Sequence, residues 1–502
     1  MDKLVVKKKN ETFLEIQADA GIQMELSEHF SFYVPGYKFI PSYRNKMWDG
    51  KIRLYDLRQK TLYTGLFQYI DEFCQARDYE LEVEGSKFFG RPDTIQDISD
   101  LDDFLSTLNI TSKGEQIESR DYQLEALRKF LLTRNRLLLS PTASGKSLII
   151  YLAIRYYLNK FNDGSKVILV VPTTSLVEQM YGDFADYSEY DDGFNAQKTC
   201  HKIYSGKEKY NIDQRIIITT WQSVHKLPTP WFSHFGMVIG DEAHSFKAKS
   251  LTSVVEKCVN ASYRLGTTGT LDGTQTNQLV LEGLFGPVYK VTTTRELMDN
   301  NALADLKINM LILKYDDETC KAMKKATYQE EVDYIVRHEK RNKLITNLAL
   351  DQDGNTLILF QYVEKHGKVL YELLKNKSAN PELIYYVSGE TDVDVREEIR
   401  AITEKTDGAI IVASLGTFST GINIRKLNNI IFASPSKSQI KVLQSIGRGL
   451  RKSPDGKDTV LYDFADDLHW KNRKNYTLNH AAERLKIYSK EKFDYSIYEI
   501  KV

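Results

Sequence analysis

The chain has 502 residues, with 68 Lys and Arg balanced by 68 Asp and Glu, so a nucleic-acid partner would have to be held by local basic patches, not by the field of the whole protein. This length allows about three domains with separate cores, and 42% apolar residues is ordinary for a globular protein. Cys74, Cys200, Cys258 and Cys320 lie far apart without a CxxC pair, which argues against a zinc site or disulfide framework and fits a reducing compartment. Residues 1–10 lack an apolar signal core and no run of about 18 apolar residues occurs, so a cytoplasmic protein without a membrane segment is expected.

Residues 1–110 read as a small α+β module with a linker. Aromatic and basic side chains interleave through Tyr33, Tyr37, Lys38, Phe39, Tyr43, Arg44, Lys46, Trp48, Lys51 and Arg53. Two readings fit this pattern equally: a DNA-binding surface that stacks on bases and neutralises phosphates, or the aromatic core of a small domain. Trp48-Asp49-Gly50 ahead of the alternating Lys51-Ile52-Arg53-Leu54-Tyr55 predicts a hairpin turn. A helix over 66–77, a strand over 79–83 and a short helix over 101–108 complete the segment.

From residue 115 the pattern becomes strand, turn, helix. Apolar runs at 136–139, 167–171, 216–218 and 237–239, then 356–360, 383–387, 409–412, 430–432 and 459–462, predict short buried strands of two parallel sheets. We place the boundaries at 111–300 and 301–470, with a helical tail over 471–502.

Between the first of these strands and a helical stretch over 148–158 lies Ser140-Pro141-Thr142-Ala143-Ser144-Gly145-Lys146-Ser147. A strand that stops and turns into a helix aims several backbone N–H groups at one point, where the helix dipole adds positive potential. The spacing predicts a phosphate loop, although Ser140 stands where the usual pattern has glycine. Lys146 would reach the terminal phosphates of a nucleotide and Ser147 would hold Mg²⁺. Asp241-Glu242, at the end of the strand over 237–239, supplies a second Mg²⁺ ligand in Asp241 and a water-orienting acid in Glu242. His244 either links this site to the other domain or only packs.

Gln444, Arg448 and Arg451 recur at helical spacing and share one face. Gly447 and Gly449 each cost a helix about 0.8–1 kcal/mol, which close approach of another surface would explain.

Together these motifs resemble superfamily 2 helicases and translocases of the DEAH-lettered type over residues 115–470. The resemblance implies two RecA-like parallel-sheet domains in tandem, the first binding ATP, preceded by the small α+β module. It implies adenine recognition by Arg120 and Gln123, with Thr142, Ala143, Ser144 and Gly145 around the phosphates. Leu265-Gly266-Thr267-Thr268-Gly269-Thr270 sits where the family couples its ATP and DNA sites. The segment from Ala413-Ser414 to Gly421-Ile422-Asn423 matches a motif that contacts both strand backbone and nucleotide, with Asn423 where many relatives have Asp. Gln444 to Arg451 matches the arginine-finger helix, Arg448 and Arg451 stabilising γ-phosphate charge when the domains close.

Backbone grips are expected from Thr173, Thr174, Thr220, Trp221 and Gln222 in the first domain, and from Phe360, Gln361, Tyr362, Ser388, Gly389 and Ser414 in the second. Gly36-Tyr37-Lys38-Phe39, Trp48-Asp49-Gly50-Lys51, Thr220-Trp221-Gln222 and Val387-Ser388-Gly389-Glu390 further resemble the UvsW helicase branch of tailed phages, nearly end to end. That branch implies an ATP-dependent DNA helicase, monomeric in solution, working with replication or recombination proteins. Its substrates would be branched, forked or duplex DNA and RNA–DNA hybrids, in recombination, repair and replication restart. Two other readings compete: a duplex DNA translocase without strand separation, and a nuclease using Asp49-Gly50-Lys51 or Pro454-Asp455.

Overall fold

The structure is a computed structural model that describes residues 2–85, 96–161, 164–204, 206–210, 212–246, 249–271, 273–417, 424, 426–434, 438, 446–447 and 458–502. Two units are resolved by their internal contacts: Met1–Ser140 with Gly145–Val291, and Pro141–Ser144 with Thr292–Val502.

The first unit begins with a four-stranded sheet in the order Thr61–Tyr63, Phe13–Gln17, Lys3–Lys8, Glu80–Glu84. Period-two alternation buries Leu4, Val6, Leu14 and Ile16 completely. Helices Ala20–His29 and Phe67–Gln75 add Leu26, Ile70 and Phe73 to the same core. The aromatics of this segment divide between core and surface. Phe30, Tyr55 and Phe67 are core, whereas Tyr33 and Phe39 are 54 and 76% exposed.

Trp48-Asp49-Gly50 does not form the expected tight hairpin. The strand it precedes, Lys51–Arg53, pairs antiparallel with Ser31–Tyr33 across a long loop. Asp49 instead accepts the Lys51 N–H at 3.1 Å and pairs with Arg53. Gly50, at φ 83°, lies against the Tyr37 ring, where a Cβ would clash.

This module shares its core with the larger sheet of the unit. Buried Arg264 ties them: Nε donates to Leu284 O at 2.7 Å, Nη1 to Cys258 O and Thr12 Oγ1 at 3.1 and 3.2 Å, and Nη2 to Val255 O at 3.0 Å. The hydroxyls of Tyr63 and Tyr69 donate to Glu256 and Glu282, both at 2.6 Å. A Cβ on Gly65 would stand 2.0 Å from the Glu282 carbonyl oxygen, so only glycine allows this approach.

The larger sheet has seven parallel strands ordered Cys200–Ile203, Ile216–Thr220, Lys166–Val171, Phe235–Asp241, Tyr263–Thr268, Asn135–Leu139, Val288–Lys290. Val167–Val171 and Ile216–Ile218 are buried throughout, as strands covered on both faces must be. Helix Lys146–Lys160 is apolar nearly all round and buried from Leu148 to Tyr157.

The second unit carries another seven-stranded parallel sheet, ordered Ile384–Val387, Ile410–Ser414, Thr356–Phe360, Asn429–Phe432, Thr459–Asp467, Leu306–Lys314, Asp494–Lys501. With the first sheet it makes the tandem RecA-like pair implied by the sequence. The last strand corrects the expectation of a wholly helical tail. After helix Tyr476–Lys490 the chain returns as an edge strand beside Leu306–Lys314. Tyr495, Ile497 and Tyr498 are exposed along it, among the charged Asp494, Glu499 and Lys501, as suits a half-solvated edge.

Glu331 pins this tail. Buried at 2% exposure, its carboxylate accepts Asn475 Nδ2, the Tyr476 and Thr477 N–H groups and the Thr477 hydroxyl at 2.7–3.0 Å, filling the helix N-terminus with negative charge. Glu331→Ala leaves those donors buried without an acceptor and is expected to cost about 3 kcal/mol. Thermal unfolding and proteolysis of the tail would report the loss.

Candidate nucleotide site and nucleic-acid contacts

The phosphate loop leaves strand Asn135–Leu139 at the carboxyl edge of the first sheet, where open α/β sheets bind ligands. Ser140 is fully buried and its N–H donates to Thr268 O at 2.8 Å. Serine thus occupies the position of the usual glycine without crowding the loop. Ala143 and Gly145 take left-handed φ of 65 and 80°, and the Ser144 hydroxyl donates to Pro141 O at 2.7 Å. Lys146 Nζ donates to Ser140 O at 3.3 Å, which holds the ammonium over the loop.

Gln123 is brought to this loop. Its Oε1 accepts the Arg120 N–H at 2.9 Å, and its amide nitrogen lies so close to Gly145 that a Cβ there would sit 2.2 Å away. Arg120 Nη1 donates to the Tyr122 hydroxyl at 2.8 Å. Gly145→Ala is expected to weaken ATP binding by about tenfold to a hundredfold, from backbone strain and displacement of Gln123. Equilibrium titration with a fluorescent nucleotide would measure it.

Asp241 ends its strand directly beside Thr267 in the neighbouring strand, and the Thr267 hydroxyl donates to its carboxylate at 2.6 Å. Burial pushes the Asp241 carboxyl above the usual range and the adjacent Glu242 adds to this, while Lys146 and Thr267 oppose it. Glu242 takes a left-handed φ of 51°, a strained conformation of the kind that clusters at functional sites. His244 Nδ1 lies 3.0 Å from the Thr268 hydroxyl and 3.3 Å from Glu242. Thr268 also accepts the Ser140 N–H through its carbonyl, so these contacts of His244 lie within the first unit.

Buried Asp241 with the half-buried Glu242 next to it suits a hard divalent cation, which would discharge the desolvated acid. Ser147 Oγ lies 2.8 Å from the Tyr187 hydroxyl. The sequence reading missed Tyr187 in this role, because a tyrosine forty residues on carries no local signal. Thr267 and Thr268 were visible as a motif, but their bonds to Asp241 and His244 follow only from strand order.

Thr173 caps helix Thr174–Tyr187, accepting the Leu176 N–H at 3.4 Å. Gln222 Nε2 donates to Pro172 O at 3.4 Å, joining that turn to the Thr220-Trp221-Gln222 turn. Thr220 pairs with the Ser223 hydroxyl at 2.9 Å, and the Trp221 ring meets His225 edge-on. The expected grip residues of the first domain therefore share one edge of the sheet.

In the second unit the strands ending at Phe360, Val387 and Ser414 are neighbours in register, which brings Gln361, Ser388, Gly389 and Ser414 to one edge. Arg396 Nη2 braces the carbonyls of Ser388 and Gly389 at 3.3 and 3.2 Å, and the Ser414 hydroxyl donates to Thr417 at 2.7 Å. Phe360 is corrected as a contact residue. Its ring is fully buried and stacks on Tyr386 at 5.6 Å, so it supports the edge from below. Tyr362 is half-buried with Lys365 Nζ 4.4 Å from its ring centre.

Gly421, Asn423, Gln444, Arg448, Gly449 and Arg451 lie outside the described residues, as does Pro454-Asp455. Asp49 is engaged by Arg53 and the Lys51 amide, and among the described residues no group of three or more His, Cys, Asp or Glu could hold a metal ion. All four cysteines are buried and free, and no described helix is long and apolar enough to cross a membrane.

Tandem parallel sheets, a phosphate loop and an Asp-Glu-Ala-His strand end on the first of them define a superfamily 2 helicase. Three families match in succession: "DNA helicase UvsW, N-terminal" over residues 4–84, "Type III restriction enzyme, res subunit" over 116–273 and "Helicase conserved C-terminal domain" over 339–453. The chain is 37% identical to the ATP-dependent DNA helicase uvsW of Enterobacteria phage T4, covering 96% of each. It is 22% identical to the DNA 3'-5' translocase XPB2 of Sulfurisphaera tokodaii, over 86% of this chain and 93% of that one. The crystal structure of T4 UvsW matches 99% of both chains with 35% identity and a TM-score of 0.52. The chain belongs to the UvsW family of DNA helicases.

Proposed function

We propose that this protein hydrolyses ATP to remodel branched DNA, by fork regression, Holliday-junction branch migration and R-loop unwinding, in phage recombination, repair and replication restart within the host cytoplasm. The observation that carries the reading is the convergence of Gln123, Lys146, Ser147, Asp241 and Thr267 on one edge of the first sheet, next to the turns holding Thr173 and Gln222. Gln123 orients the adenine, the loop amides and Lys146 cradle the phosphates, and Glu242 aligns the attacking water. Mg²⁺ held by Ser147 and Asp241 would supply charge neutralisation on the phosphates. Arg448 and Arg451 add positive charge at the γ-phosphate. Residues 1–110 serve as the accessory DNA-binding domain, 111–300 and 301–470 as the two motor domains, and 471–502 as the tail.

Each motor domain grips phosphates rather than bases: Thr173, Thr174, Thr220, Trp221 and Gln222 in one, and Tyr362, Ser388, Gly389 and Ser414 in the other. Phosphate contacts carry little sequence information, which suits a motor acting on any sequence. Likeness to the archaeal translocase favours a second reading, movement on duplex DNA without strand release. A strand-displacement assay with the purified chain and forked DNA separates the two. Release of a labelled strand dependent on ATP is the expected result. DNA-stimulated hydrolysis without release would establish the translocase reading.

A further inference from the structure

Where the C-terminal segment crosses the second unit, three cations gather that have no carboxylate partner among the described residues. After strand Thr459–Asp467, Trp470 and Arg473 exchange backbone hydrogen bonds of 3.1 Å, and Lys471 adopts φ 54°, forming a tight turn. The turn sets Arg473 and Lys474 beside Lys324, around a recess of about 130 Å³ that Tyr476 and Asn479 also line. All three cations are exposed. Neighbouring cations of the unit are neutralised, Lys368 by Glu364, Lys426 by Asp407 and Lys486 by Glu483, each at 2.7 Å. Glu331 also borders the recess, but both its oxygens are occupied by Asn475, Tyr476 and Thr477.

The recess continues a line of aromatic side chains. The Tyr476 ring meets Tyr328 edge-on at 6.1 Å, and Tyr328 lies near enough to Tyr362 for the two phenols to interact electrostatically. Tyr362 is the residue placed above in the second domain's grip on the strand. Three free positive charges at the end of a tyrosine path are the features with which proteins track a phosphodiester backbone.

We propose that this recess binds a backbone phosphate of the nucleic-acid strand held at Tyr362, through Lys324, Arg473 and Lys474, so that the C-terminal turn extends the second domain's track. The inference rests on the nucleic-acid reading of that domain. Its occupant is a phosphodiester strand and carries no sequence preference, because every contact is to phosphate.

The test is anisotropy of a labelled fork titrated with the full-length chain over a range of NaCl concentrations. For Lys324→Ala, Arg473→Ala, Lys474→Ala combined, the slope of log affinity against log salt falls by about two to three, and affinity at fixed salt falls about tenfold. The charge-preserving exchange Arg473→Lys with Lys474→Arg keeps the wild-type slope, as does a control at Lys343, which is exposed on helix Glu339–Leu350 and paired with Glu339 at 3.8 Å. A triple variant with wild-type slope and affinity, or a loss shared by the charge-preserving exchange, overturns the inference while the helicase reading stands. Absence of DNA binding by the wild-type chain overturns both.

Discussion

Lys146→Ala is expected to lower DNA-stimulated ATP hydrolysis by about three orders of magnitude while DNA affinity stays within about twofold of wild type. The ammonium is held over the loop by Ser140 O, at the one position where the loop amides and the start of a buried helix converge. Removing it deletes charge where phosphoryl transfer concentrates negative charge. The proposed grips on nucleic acid use other residues, so binding and hydrolysis should separate. Parallel measurement of ATPase rate and fork affinity checks this, and a variant with full hydrolysis would contradict the assignment of the loop.

Asp241→Asn should abolish hydrolysis by a similar factor and yet make the nucleotide-free protein more stable. Folding raises this carboxyl's pKa above its unfolded value through burial and the neighbouring Glu242, so the folded state takes up a proton more readily than the unfolded one. The group's contribution to stability is therefore present in acid and lost as pH rises through the folded pKa. At neutral pH the ionised carboxylate costs stability that the amide does not, while asparagine still accepts the Thr267 hydroxyl. A gain of about 0.5–2 kcal/mol is expected, the usual size of a trade between stability and function. Thermal unfolding at several pH values should show the variant's advantage shrinking as the buffer is acidified. A variant less stable than wild type at neutral pH would remove the electrostatic argument.

The parts of this fold legible in the sequence are those in which one segment states its own environment. Val167–Val171 and Ile216–Ile218 are uninterrupted β-branched and aliphatic runs because both faces are covered, and the phosphate loop is written contiguously between strand and helix. Leu306–Lys314 was hidden because Lys307, Asn309 and Lys314 interrupt the apolar run. Asp494–Lys501 was hidden because an edge strand keeps charged residues on its open side. Phe360 shows the converse error: an aromatic at a strand end reads as a contact residue, yet a ring at that position can point into the core. At the site, Lys146, Asp241 and Gln123 announced themselves by motif. Tyr187 against Ser147 and His244 against Thr268 depend on which strands and helices become neighbours, which no short stretch of sequence records.

ATP hydrolysis in this chain is proposed to be coupled to branched DNA. The most direct measurement is the ATPase rate of the purified protein with single-stranded DNA, linear duplex, a fork, a Holliday junction and an RNA–DNA hybrid at equal nucleotide concentration and fixed salt. The highest rates are expected with the fork and junction, and no stimulation of Lys146→Ala by any of them. Equal stimulation by every nucleic acid would contradict it.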